Sequence, residues 1–178
     1  MNIKRWLLAG VVVSILFVVP VIAGEQSAYA PPKASAEFER VKALAGKWEG
    51  KIKHSNGNEE PAAVEYRVTS GGSVVVETLS PGTSHEMISV YHDKGGKLSM
   101  THYCMLGNQP TLDLTSGDMT HLNFESSSQT RKELAGQMYM NTLVLDRSTN
   151  DQLIQTWTAI GPDGKPADSS VFSLKKTA

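Results

Sequence analysis

From residue 47 onward the chain alternates apolar and polar positions in short runs, each cut off by Gly, Asn, Asp or Ser. A period of two sends successive side chains to opposite faces of an extended backbone, so these runs predict half-buried β-strands. Ten can be read, at 47–54, 63–69, 73–79, 85–92, 97–104, 111–114, 119–125, 137–146, 152–160 and 170–175. The alternation assigns faces as well. Val64, Tyr66 and Val68 are expected to point inward, as are Leu112, Leu114, Leu122 and Phe124. In 85–92 the more apolar set is Ile88 and Val90, which would turn His92 inward with them.

The breaks between the runs have the size of hairpin turns. Ser70-Gly71-Gly72, Asp93-Lys94-Gly95-Gly96, Ser116-Gly117-Asp118 and Ser148-Thr149-Asn150 supply residues that tolerate positive φ, and Gly161-Pro162-Asp163-Gly164 is a further turn. Strands joined in this way run antiparallel to their neighbours. One short helix is predicted ahead of them, at 37–44, capped by Ser35, with Phe38, Val41 and Leu44 on one face and Gly46 ending it. With no long helix to cover a sheet face, an open sheet of this many strands would leave hydrophobic edges unpaired. The expected fold is therefore all-β, a single up-and-down antiparallel barrel of about 8–10 strands after a short N-terminal helix, with room inside for one small ligand.

The beginning of the chain follows a different pattern. Lys4 and Arg5 precede an apolar run at 6–22, and Val21 and Ala23 place small side chains where a signal peptidase reads them. This predicts a signal peptide at 1–23, a flexible Ala/Pro/Ser leader at 24–36, the barrel at 37–178, and a periplasmic or secreted location in a bacterium. Ala28-Tyr29-Ala30 offers a second small-x-small exit, but Pro31 would follow that cut. An uncleaved anchor is the competing reading, and a membrane would then be met only through this segment. The run is about 17 residues long, at the short end of what spans a bilayer, and Pro20 interrupts it.

Charge and cysteine content narrow the partners. Removing Lys4 and Arg5 from 17 basic residues against 18 acidic ones takes the net charge from −1 to −3. No basic stripe interleaved with aromatics remains to neutralise phosphates, so nucleic acid is not an expected partner. A single cysteine, Cys104, cannot make an internal disulfide, and stability must come from the core, for which about 150 residues suffice. Nothing in the pattern specifies an oligomeric state.

Leu44-Ala45-Gly46-Lys47-Trp48 places G-x-W at the entry to the first strand, directly after the short helix. This resembles the start of calycin barrels, the lipocalins and fatty-acid-binding-like proteins. Gly71-Gly72 with Glu77, and the succession of hairpins to the C terminus, resemble uncharacterised exported bacterial proteins with a lipocalin-like domain. The resemblance implies that Trp48 packs across one end of the barrel as a structural residue.

Candidate chemistry concentrates in one segment. Leu98, Met100, His102 and Cys104 share a strand face, which sets an imidazole beside a thiol, and the strand leads into a bend containing Asn108, Gln109 and Pro110. If His102 faces a cavity, Asn108 and Gln109 are placed to orient a polar head group while Tyr66, Met100 and Trp157 hold an apolar body. The alternative is a hydrogen-bonded core histidine beside turn-forming amides, with Cys104 a buried thiol. Glu77, after Val74-Val75-Val76, is the carboxylate best placed to pair with His102 as acid and base, unless it is a rim residue in water.

No third ligand accompanies His102 and Cys104, so no metal site is predicted, and no cofactor. Met100, Met105, Met119, Met138 and Met140 read as core filler. The chain has no G-x-S-x-G, no phosphate-cradling loop and no zinc-protease helix. Three readings of function remain: a carrier of a small, mostly apolar molecule, an enzyme with Glu77 and His102 as candidate catalytic groups in the same cavity, or a filled barrel that serves as an interaction module.

Overall fold

The computed structural model describes residues 33–177; the expected signal peptide, 1–23, and the leader up to residue 32 lie outside the described residues. Helix α1, Ala36–Lys42, begins where Ser35 accepts the Phe38 N–H at 3.1 Å, and the same serine's hydroxyl donates to Asp93 at 2.8 Å. The cap therefore sets the helix start and ties it to the barrel. Phe38, Val41 and Leu44 are buried, and the Trp48 indole N–H closes on the Leu44 carbonyl at 2.8 Å. Lys176 lies over the Trp48 ring. Trp48 thus packs across the α1 end of the molecule, as the G-x-W resemblance implies.

Ten strands follow: β1 (Gly46–His54), β2 (Glu59–Thr69), β3 (Val74–Leu79), β4 (Met87–Lys94), β5 (Lys97–Tyr103), β6 (Thr111–Gly117), β7 (His121–Ser126), β8 (Tyr139–Asp146), β9 (Gln152–Ile160) and β10 (Pro166–Lys176). Each pairs antiparallel with its neighbours in the chain, and β1 pairs with β10 to close the barrel. The all-β, up-and-down closed architecture read from the alternation is the one observed, with ten strands. At the closure Gly50 opposes Leu174, and a Cβ on Gly50 would collide with the Ser173 carbonyl oxygen. The β4–β5 turn is made by Gly95 and Gly96, both at positive φ (61° and 80°), the conformation that two-residue hairpins require.

Strands β2 and β10 begin earlier than the alternation indicates. Glu59, Glu60 and Pro61 of β2 and Pro166, Ala167 and Asp168 of β10 are exposed where the barrel meets water, so their sequence carries no apolar period to read. A second helix, α2 (Ser128–Glu133), was also not legible. Its residues are almost wholly polar, and it is held by its Ser127 cap and by buried Thr130, whose hydroxyl donates to the Thr111 carbonyl at 3.0 Å.

Two face assignments are corrected. Val68 has the inward parity but is 37% exposed at the end of β2. In β4 the inward set is Ser89 and Tyr91, while Ile88 is 37% exposed and His92 does not face the interior with it. Register is the reason. Directly opposed residues share a face, and Glu77 opposes Ser89 while Val75 opposes Tyr91.

Candidate functional site

The two ends of the barrel are filled differently. Around the middle the interior is packed: Tyr66 and Tyr91 stand 6.4 Å apart, Tyr91 meets Phe124 edge-on at 5.8 Å, and Met100, Leu112 and Leu143 are fully buried. At the α1 end a smaller space of about 120 Å³ lies among Arg40, Leu44, Leu122, Leu145, Arg147 and Leu153. Toward the opposite end, where β3 and β5 finish and β4 and β8 begin, a cavity of about 220 Å³ remains. Leu79, Ile52, Met87, Met140 and Phe172 line its walls, His102 and Trp157 belong to the same lining, and Met105, Leu106 and Met138 edge it with exposed apolar surface. His54, Asp168 and Ser170 add polar groups.

Of the residues singled out from the sequence, His102, Cys104 and Trp157 line this cavity. Tyr66 and Met100 do not; both belong to the solid core. Asn108 is buried in the β5–β6 turn, where its amide N–H₂ donates to the Met138 carbonyl at 2.8 Å. Gln109 is exposed and folds back on the Gly107 carbonyl at 3.2 Å, away from the cavity lining. Three methionines expected to be filler, Met105, Met138 and Met140, line the cavity, and Met119 is 87% exposed on the surface. Flexible thioethers adapt to irregular apolar partners.

Glu77 is not a rim residue in water. It is completely buried, at the centre of a polar cluster that spans the barrel. Tyr66 donates to Oε1 at 2.7 Å and Tyr91 to Oε2 at 2.8 Å. Gln155, from β9 across the interior, donates to Oε1 at 2.7 Å and to the Tyr66 hydroxyl oxygen at 2.6 Å. The orientation of that amide is set by Trp157, whose indole N–H has only a proton to offer and gives it to Gln155 Oε1 at 3.3 Å. Ser89 lies opposite Glu77 in register. The Glu77 carboxyl is raised above its usual range by burial, and the converging donors pull it back. Tyr66 and Tyr91 are raised well above theirs, first by burial and then by the carboxylate beside them.

Glu77 and His102 therefore do not touch as an acid–base pair. Ser89 stands between them, with its hydroxyl 3.1 Å from His102 Nδ1. The imidazole is buried, lies against the Trp157 ring at 4.8 Å, and is pushed down to about 4 by desolvation, so it is neutral at pH 7. Burial also raises the Cys104 thiol. A neutral thiol beside a neutral imidazole that is engaged elsewhere is not an activated nucleophile. Among the described residues no cluster of three His, Cys, Asp or Glu side chains is disposed to hold a metal ion. Ser89, Tyr91 and Gln155 were missed by sequence reasoning. The only signal for them was a polar residue on an otherwise apolar strand face.

No protein-family model and no curated protein matches the chain. Solved structures do. A protein of unknown function from the DUF3598 family of Nostoc punctiforme superposes with a TM-score of 0.51 at 10% identity, over 77% of this chain and 49% of that one. The chain thus spans about half the length of that protein. A chain bound to DFHBI (TM-score 0.41, 9% identity, 79% of this chain and 98% of that one) and a redesigned β-barrel (TM-score 0.35, 11% identity, 78% and 95%) are more distant. The chain has a closed β-barrel fold resembling that of the DUF3598 protein.

Proposed function

We propose that this is an exported binding protein that holds a small, mostly apolar molecule in the open end of its barrel, without turnover. One observation carries the reading: beyond the packed middle of the barrel, the end away from α1 keeps about 220 Å³ of mostly apolar-lined space, with a neutral histidine in its lining. A close-packed interior does not keep such a space without cost, and an engineered apolar cavity of roughly 150 Å³ takes up benzene. The occupant is thus a molecule of about ten non-hydrogen atoms. Export is supported by Lys4, Arg5 and the apolar run after them. An enzymatic reading gains nothing from the geometry, because Glu77 is sequestered in its own hydrogen bonds and does not line the cavity.

The test is mass spectrometry of the purified protein under native and then denaturing conditions, with indole as an added probe followed by isothermal titration calorimetry. An adduct that leaves on unfolding, or saturable heat of indole binding, is the expected result. A folded protein that carries no adduct and shows no response to indole up to millimolar concentration would sink the proposal.

A further inference from the structure

Two arginines flank the β6–β7 turn at the α1 end of the barrel. Arg40 reaches it from α1: its Nη2 lies 2.9 Å from where a Cβ on Gly117 would stand, so the bare glycine of β6 is what lets the guanidinium settle against the strand. Arg147, just past β8, is fixed to the same turn by its backbone N–H, which donates to the Thr120 carbonyl at 2.9 Å. Both side chains line the space of about 120 Å³ at this end, together with Leu44, Leu122, Leu145 and Leu153.

The positive charge gathered here is poorly compensated. Arg40 has one ionic partner, Glu37 at 3.6 Å, and Arg147 has none among the described residues; its Nη2 meets only Asn150, at 3.4 Å. The carboxylates beside the turn and in the β8–β9 hairpin are committed elsewhere. Asp118 accepts the Thr120 and His121 N–H groups at 2.8 Å, Asp146 takes the Ser148 hydroxyl at 2.6 Å, and Asp151 takes the Thr149 hydroxyl at 2.8 Å. Arg40 Nε and Nη2 and Arg147 Nε are shielded from water without a hydrogen-bond partner. Charge shielded in this way is screened less than charge in water, so it attracts an anion that never touches these three atoms. The Nη1 groups are the ones left for contact, since neither is among the shielded atoms and neither donates to a group among the described residues.

We infer that this space binds a small carboxylate with a short alkyl tail, its oxygens accepting hydrogen bonds from Nη1 of Arg40 and of Arg147 and its carbons lying on the four leucines. A guanidinium fork matches the planar carboxylate in shape as well as charge. Volume sets the size. An apolar cavity of roughly 150 Å³ holds benzene, so the space here suits a molecule of about six non-hydrogen atoms, such as butyrate. None of its lining residues belongs to the larger cavity at the other end, so the two sites are independent.

The experiment is calorimetric titration of the purified protein with sodium butyrate, 1-butanol and sodium phosphate at neutral pH and low ionic strength, together with ¹⁵N NMR of its arginine side chains. Butanol keeps the tail without the charge, and phosphate keeps the charge without the tail. Butyrate should bind one to one, at least about tenfold more tightly than either, and should shift the Arg40 and Arg147 resonances. Arg147→Gln should weaken butyrate binding by at least about tenfold. Butanol bound as tightly as butyrate would overturn the role of the arginines, and phosphate bound as tightly would overturn the carboxylate class. No heat from butyrate up to millimolar concentration, or binding that leaves both arginines unshifted, would remove the site altogether. The probe comparison and the NMR shifts use the unaltered protein, so they decide the matter even if Arg147→Gln does not fold.

Discussion

At the residue scale, the buried ionisable groups make the stability of the protein depend on pH in opposite senses. The folded-state pKa of His102, about 4, lies below its ordinary 6.5, so the fold favours the neutral ring. Its contribution is complete above pH 6.5 and is lost as the pH falls through about 4, a change of about 3 kcal/mol. The Glu77 pKa is raised above 4.5, so its contribution is present below that value and is lost as the pH rises through the folded-state pKa. The His102 share appears as a difference. Urea unfolding from pH 7 to pH 4 should show the wild type losing more stability than His102→Gln, and parallel curves would contradict the assignment. Glu77 itself invites a comparison of two substitutions. Glu77→Ala strands the Tyr66 and Tyr91 hydroxyls and the Gln155 amide in the core and should cost roughly 3 kcal/mol or more. Glu77→Gln keeps an acceptor for these donors and the shape of the side chain, and should cost clearly less. Equal losses in denaturant titrations would mean that volume, not hydrogen bonding, matters at this position.

At the scale of elements, the β1–β10 seam is the pairing that turns a sheet into a barrel. Gly50 has ordinary strand geometry there, and its lack of a side chain is what lets β1 approach the Ser173 carbonyl. Gly50→Ala should destabilise the protein by about 1–3 kcal/mol, the usual effect of overpacking, whereas Lys53→Ala on the same strand should stay within about 0.5 kcal/mol of wild type. Thermal unfolding of the two variants measures the difference directly, and equal melting temperatures would show that the seam yields easily. The helices illustrate what a sequence reveals of elements this short. Helix α1 was legible because Ser35, Phe38 and Val41 combine a cap with an apolar face. Helix α2 was not, because its single buried residue, Thr130, is polar and is retained through hydrogen bonds to Thr111.

At the scale of the whole molecule, the barrel has a packed middle and a mostly apolar-lined cavity at the end away from α1. Filling that cavity should separate stability from binding. Ala159 is buried in the cavity lining, and Ala159→Leu places three further carbons in the space. The variant should keep or gain up to about 2 kcal/mol of stability, as cavity-filling changes do. Its affinity for indole or phenol should fall at least about tenfold, since the space it takes is the ligand's. Unchanged affinity in a folded Ala159→Leu protein would place binding elsewhere.

The sequence by itself determined the strands, their antiparallel order, the short helix at the start and the closure of the barrel. Each depends on short-range features: the period-two alternation, glycines where hairpins need positive φ, and edges that ten strands cannot leave bare. It also marked His102, Cys104 and Trp157, which share a cavity lining. Only the tertiary structure decided that Glu77 is buried, that Tyr91 rather than His92 faces it, that Tyr66 and Met100 belong to the packed middle, and where the empty space lies. These outcomes depend on register and on contacts across the barrel. Gln155 reaches Glu77 from 78 residues away and Tyr66 from 89, and no local pattern encodes the meeting of groups so far apart along the chain.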